Sequence, residues 1–495
     1  MSSEQPPHPT PDAGSPDARG IFADRFLFWL LIGIVALAPL PLGSNRPLPA
    51  ALLALATGLL LTMWAALALT RKRLPLPARR VRVPLILFGL VAGWALIQSL
   101  PLPISWADPI WAIASSAIDR PLAGSISVNP WATRTALMHL LTYGAVFWLT
   151  LQLTRASDRA RTAMVAIAII GATYAAYGVA IYLAGNDWIL IYRKWAYTNA
   201  LSATFVNRNS FATFAGLCLL AAVVHFINGF MHLLTIERPL RQRIALIMNT
   251  IFSHGIVRTI TMLLLMVALF LTGSRAGIAS SLAGLLVLMA SFARNRSLKR
   301  THVAAISIAI VGSMALVFTI NGGLFVSRLG DKDTDFSESQ RPIVYQATMD
   351  AIATVPWTGT GYGTYRDVFA AYRPENLSSL FYWDKAHDDY LENALELGLP
   401  AAVALNLCIA LLALDALRGL WRRRRNRHFP AIAVAATVLV GLHSLVDFSL
   451  QMPAIAVLYS FILGLGVAQS HPEQTASRRP AYFVDSGGRS AAVPS

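Results

Sequence analysis

Four positions in this chain place charge or a titratable ring beside small, apolar or amide residues. Arg208 stands between Asn207 and Asn209 in TFVNRNSFATF, and Arg275 follows Ser274 in LTGSRAGIA. Arg341 opens the apolar-patterned run RPIVYQATMDAIATVPW, and His387 precedes Asp388 and Asp389 in AHDDYLE. A guanidinium group is permanently charged and presents a planar fork of N–H donors, so it grips phosphate through paired hydrogen bonds. Gly273, Ser274 and Gly277 around Arg275 suggest a break between helices, whose backbone N–H groups could join it in holding phosphate. Three arginines converging on a diphosphate would form a clamp that needs no metal. An unperturbed imidazole titrates at about 6.5, which suits a general base near neutral pH. Asp388 or Asp389 would orient the second nitrogen of His387, and Asn207 and Asn209 would support Arg208.

Each of these residues also has a plainer reading. Arg208 would snorkel to headgroups, Arg275 would sit in a polar turn, Arg341 would be solvated and His387 would be an ordinary loop histidine. Two adjacent carboxylates do not complete a coordination sphere, so no metal is expected at His387. His443 and Asp447 are four apart on one helix face and are expected to hydrogen-bond within a bundle. GTGYG follows no strand and lacks dinucleotide-motif spacing, so its glycines are expected to shape a tight turn. Trp357, Tyr362, Tyr365, Tyr382 and Trp383 would stack on sugar rings or anchor at an interface.

The elements that must position these groups are membrane helices. The 495 residues are 55% hydrophobic and 13% charged, with a mean hydropathy of +0.54. A soluble domain carries roughly 25% charged residues. Apolar runs at about 26–42, 48–69, 83–100, 137–153, 163–183, 203–226, 257–271, 278–292, 303–320, 391–417, 431–446 and 455–467 predict about twelve transmembrane helices. The fold class expected is an all-α integral membrane protein with a large, partly helical loop, 321–390, between helices 9 and 10. Residues 1–23 and 471–495 read as disordered cytoplasmic tails around a transmembrane domain spanning 24–470.

The net charge of +16 resides mainly in clusters between apolar runs, including RKRLPLPARRVR and RGLWRRRRNRH. That is the positive-inside pattern, not a nucleic-acid-binding face. It predicts both termini in the cytoplasm and the four sites on the outer side. The two cysteines, Cys218 and Cys408, lie within apolar runs and read as small buried hydrophobes.

Taken in order, TFVNRNSFA, TGSRAG, QRPIVYQATMDAIATVPWTGTGYGTY, AHDDYLENALELGLP and LHSLVDFSLQMPAIA resemble the O-antigen ligase and O-antigen polymerase family of bacterial envelopes, over about 205–467. The resemblance implies an inner-membrane glycosyltransferase without a cofactor, with its outer side and the 321–390 loop in the periplasm. Such enzymes take a glycan from an undecaprenyl diphosphate carrier and pass it to lipid A–core or to a second lipid-linked glycan. It also implies His387 as the catalytic histidine, with Arg275, Arg341 and, more weakly, Arg208 at the donor diphosphate. A transporter or flippase of lipid-linked glycans is the alternative. Its repeat symmetry and midplane charges are not evident in this chain.

Overall fold

The computed structural model is almost entirely α-helical. It describes residues 18–40, 42–70, 80–235, 255–293, 332–378, 383–423 and 425–471, isolated positions between 241 and 312, and a short strand pair at 482–484 and 490–492. Helices α1 (Ala18–Leu37), α2 (Pro47–Thr70), α3 (Arg82–Gln98), α4 (Ile110–Ala117), α5 (Pro130–Leu153), α6 (Ser157–Leu183) and α7 (Arg208–Thr235) come first. Then follow α8 (Ile256–Leu271), α9 (Arg275–Ala293), α10 (Lys332–Thr354), α11 (Tyr365–Tyr372) and α12 (Asp389–Leu397). The last three are α13 (Leu399–Arg422), α14 (His428–His443) and α15 (Pro453–Ser470).

Local chemistry explains several boundaries. Asn129 caps α5 by accepting a hydrogen bond from the Ala132 amide, and Pro130 supplies a first helical residue that needs no donor. Prolines also occupy the first turns of α2, α13 and α15.

Among the described residues, seven helices (α2, α5, α6, α7, α9, α13 and α15) are long and apolar enough to cross a membrane. Helices α3, α8 and α14 are apolar but only 17, 16 and 16 residues long. The ninth expected span, 303–320, and most of both expected tails lie outside the described residues.

Helices α7 and α15 are central and almost wholly buried, whereas α2 and α13 are mostly exposed. The exposed residues of α2 include Leu48, Leu52, Leu55, Leu59 and Met63. An apolar surface of that extent is not stable in water and fits a lipid environment. Small residues let helices approach closely. Gly277 lies against Ala212, Gly216 against Ser281 and Gly284 against the Ala435 carbonyl, drawing α9 to α7 and α14.

The tenth span departs from the expected unbroken helix at 391–417. Gly398, at φ 78° and ψ 156°, separates α12 from α13. The Leu399 amide donates to the Pro356 carbonyl at 2.8 Å. Only glycine adopts that backbone readily, and a Cβ there would overlap the Trp357 carbonyl. Helix α12 therefore belongs with α10 and α11 in a cap at one end of the bundle. Val344, Ala347, Ala351, Tyr365, Phe369 and Leu395 belong to the cap's own apolar core.

The apolar periodicity after Arg341 is helical, as the sequence implies. However, α10 begins at Lys332, so Arg341 is a mid-helix residue with Pro342 beside it. The GTGYG turn carries positive φ at Gly359, Gly361 and Gly363, and Gly361 packs against Ser127 where a side chain would not fit.

Gln98, fully buried at the end of α3, joins bundle to cap. Its Nε2 donates to the Thr358 and Glu396 carbonyls at 2.8 and 2.9 Å. Its Oε1 accepts from the Tyr362 amide at 3.1 Å. Gln98→Ala would strand these groups and cost about 1–3 kcal/mol. The expected result is a lower unfolding temperature in detergent and faster proteolytic cleavage within 355–364. An unchanged digestion pattern would show that the cap does not depend on this side chain.

Candidate active site

The turn between α14 and α15 is the hub on which the candidate residues converge. Asp389 pins it: its Oδ2 accepts from Ser444 Oγ at 2.6 Å and from the Leu450 amide at 3.3 Å. The Asp389 amide donates to the Ser444 carbonyl at 2.9 Å. Behind the turn, His443 Nδ1 lies 2.8 Å from Ser449 Oγ and 3.2 Å from Thr213 Oγ1. Thr213 and Ser449 are themselves 2.9 Å apart. His443 thus hydrogen-bonds within the bundle, as its sequence position implies.

Burial pushes the Asp389 carboxyl up to about 8, against the opposing hydrogen bond from Ser444. Its ordinary value is 3.8. The fold therefore favours the neutral acid, and this contribution to stability is full below about pH 4 and is lost as pH rises through 8. Asp389→Asn keeps an acceptor oxygen and removes that dependence. Its unfolding temperature relative to the parent is expected to climb between pH 5 and pH 8.5. Parallel pH profiles for the two proteins would refute this.

His387 itself has φ 56°, in the left-handed region that residues with a Cβ seldom adopt. Tyr345 OH donates to its carbonyl at 3.0 Å and holds it there. The ring packs edge-on against Trp383 and Phe448, at centroid distances of 5.5 and 4.9 Å. Its Nδ1 lies 3.5 Å from Asp447 Oδ1, with the imidazole 16% and the carboxylate 2% exposed. Burial alone would raise the Asp447 carboxyl; His387, His443 and Arg341 outweigh it and hold the group well below the usual carboxylate range. Arg341 Nη1 donates to the neighbouring Val446 carbonyl. Its buried Nε has no hydrogen-bond partner among the described residues.

The acid beside His387 is therefore Asp447, not Asp388 or Asp389. Asp388 caps α12, accepting from the Tyr390 and Leu391 amides at 2.8 and 3.0 Å. Asp389 is committed to the 444–450 turn. Neighbours in sequence were the natural candidates, but His387 turns back on a left-handed backbone and meets a residue sixty positions away. The available signal was Asp447 itself, an acid beside an apolar span, where a charge needs a partner. Tyr345, which fixes the His387 backbone, had no such signal.

Asp447→Asn would leave a neutral acceptor beside Nδ1. It is expected to lower turnover by about 10²-fold, the lower end of what a positioned proton acceptor contributes. Donor binding should remain near normal, measured as separate kcat and KM at equal membrane levels. A parental kcat would remove Asp447 from the mechanism.

Arg208 and Arg275 occupy equivalent places on neighbouring helices. Arg208 opens α7, where Asn207 Oδ1 accepts from the Asn209 amide at 2.7 Å. Arg275 opens α9, where Ser274 Oγ accepts from the Gly277 amide at 3.1 Å. Gly277 lies against Ala212 and Ser281 against Gly216, so the two helices start level and run parallel. Two positive helix ends stand side by side, each with an arginine at its first position. The Arg208 guanidinium is buried and lies 5.6 Å from the Tyr197 ring centroid, whereas Arg275 is exposed. Thr213 is five residues beyond Arg208, about 7.5 Å along α7, and touches His443.

The structure thus arranges the four expected residues as two pairs at one end of the bundle. His387 and Arg341 meet the 446–447 turn, and Arg208 and Arg275 stand at adjoining helix starts. The aromatic candidates divide. Tyr365 is buried within hydrogen-bonding distance of Thr348, at 3.2 Å. Trp383 is buried beside His387, and Trp357 is 74% exposed. Tyr382 lies outside the described residues.

Residues 260–406 match the family model described as O-antigen ligase. No curated protein shows significant similarity to the chain. The matched segment contains Arg275, Arg341 and His387, whereas Arg208 and Asp447 lie outside it. Over residues 260–406, this chain carries an O-antigen ligase family domain.

Proposed function

We propose that the protein transfers a glycan from an undecaprenyl diphosphate carrier to an acceptor hydroxyl on lipid A–core, at the periplasmic face of the inner membrane. The observation that carries this reading is His387, held against buried Asp447, with Arg341 donating to the same turn from α10. An acceptor hydroxyl gives its proton to His387 Nε2 as its oxygen attacks the anomeric carbon. Asp447 steadies the imidazolium through Nδ1–H. The bond from anomeric carbon to diphosphate breaks, and its electron pair leaves on the diphosphate. Arg341, Arg275 and Arg208 take up that charge with the two helix N-termini. A direct attack of this kind inverts the anomeric centre, and its proton and charge are handled by side chains without a metal.

Orientation is supported by charge. Arg423 Nη1 lies 2.9 Å from Gln469 Oε1, and Gln469 Nε2 donates to the Thr154 and Arg155 carbonyls at 2.7 and 2.8 Å. The basic stretches 155–161 and 422–427 therefore gather at the end opposite His387, which the positive-inside rule places in the cytoplasm. Both termini would lie on that side.

Deleting the gene and resolving the cell's lipopolysaccharide on a gel tests the reading. Loss of all capped lipopolysaccharide, with carrier-linked polymer still present, is the expected result. Single-repeat capping would make the acceptor another carrier-linked glycan, and hence the activity a polymerase. An unaltered glycan profile would refute glycan transfer.

A further inference from the structure

At the end of the bundle opposite His387 lies a second site. A cavity of about 520 Å³ is lined there by Arg161, Arg258, Arg425 and Arg427, with His225 and His428. Among the described residues, none that lines it is acidic. Helix α14 runs from His428 in this cavity to His443 at the candidate active site, and its 16 residues span about 24 Å. Helix α7 likewise runs from Arg208 at one site to His225 at the other. The cavity therefore lies nearly one hydrocarbon thickness, roughly 30 Å, from the reaction centre.

The arginines are placed by the fold. Asn426 adopts φ 57°, and its Nδ2 donates to Ser157 Oγ at 3.2 Å, fastening the start of α14 to the start of α6. Arg427 Nε donates to the Arg423 carbonyl, and Arg423 is itself anchored on Gln469. Gly229 leaves room for Arg258: a Cβ there would overlap its guanidinium. Asp158 lies 3.7 Å from Arg161, and both side chains are well exposed. Such a pair neutralises little.

Four guanidinium groups line one cavity, and their forked donors match the oxygens of phosphate. Basic pockets between membrane helices at headgroup depth suit phosphate headgroups. We propose that this cavity binds a phosphate group, presented at the membrane surface opposite the reaction centre. The site is independent of the glycan-transfer reading.

The test uses the full chain in neutral detergent, following its unfolding temperature. It is titrated with phosphatidylglycerol, with diacylglycerol as the phosphate-free control, and separately with inorganic phosphate. Phosphatidylglycerol, and not diacylglycerol, should raise the unfolding temperature to saturation. The Arg258→Gln/Arg425→Gln pair should weaken that response about tenfold. Should the Gln pair not fold, Arg258→Lys/Arg425→Lys replaces it, keeping the charge and losing the fork, with a several-fold weaker response expected. A response to inorganic phosphate alone assigns the site to free phosphate, and a response to the lipid assigns it to a headgroup. No response to either probe, an equal response to diacylglycerol, or an undiminished response in the folded variant overturns the proposal.

Discussion

His387→Ala is expected to lower glycan transfer by about 10²–10⁴-fold, the range contributed by a positioned proton acceptor, while the protein reaches the membrane at its normal level. On the proposed mechanism the variant keeps the arginines and the helix N-termini but has nothing to take the acceptor's proton. A structural loss can be told apart. Without the imidazole, the buried Asp447 carboxylate loses its neighbour at 3.5 Å, so the single variant should unfold at a lower temperature. Adding Asp447→Asn removes the uncompensated charge and should recover stability without recovering transfer. His387→Gln, which retains hydrogen-bonding groups but takes no proton, should be as inactive as the alanine variant. The measurement is release of carrier diphosphate from purified donor, alongside thermal unfolding. Near-parental transfer by either His387 variant would eliminate it as the base.

Arg341→Lys is the second large effect expected. Lysine keeps the charge and can reach for the Val446 carbonyl, which Arg341 Nη1 now contacts. It loses the fork that would hold two diphosphate oxygens at once. Removing one donor aimed at developing charge costs about 10²–10³-fold in kcat. The loss should appear in kcat more than in KM, because the leaving diphosphate gains charge as the bond breaks. Arg275→Lys should fall in the same direction. It should fall less far, since Arg275 is exposed and shares its place with backbone N–H groups of α9. A parental kcat in Arg341→Lys would show that bidentate binding at this position is wrong.

Much of the scaffold could be read locally. Long apolar runs in a chain of this composition have few stable forms other than membrane helices, and seven described helices are long and apolar enough to cross a membrane. The periodicity after Arg341 set the face that α10 buries, because side chains three and four residues apart share a helix side. GTGYG could be read as a turn because positive φ suits glycine. His387, Arg208, Arg275 and Arg341 were visible because charge beside an apolar span needs a physical reason.

Folding in three dimensions decided the partnerships. Asp447 faces His387 only because the turn after α14 packs under the cap, so Asp388 and Asp389 remain structural despite their adjacency in sequence. Gly398 could have continued a helix on hydropathy alone; its close contact with Trp357 makes it a break. The pairing of the α7 and α9 N-termini follows from Gly277 meeting Ala212 and Gly216 meeting Ser281, contacts between residues more than sixty positions apart. Periodicity and turn chemistry act over a few residues and specify elements. A proton relay or an anion clamp depends on which elements touch, and that is determined by packing across the whole chain.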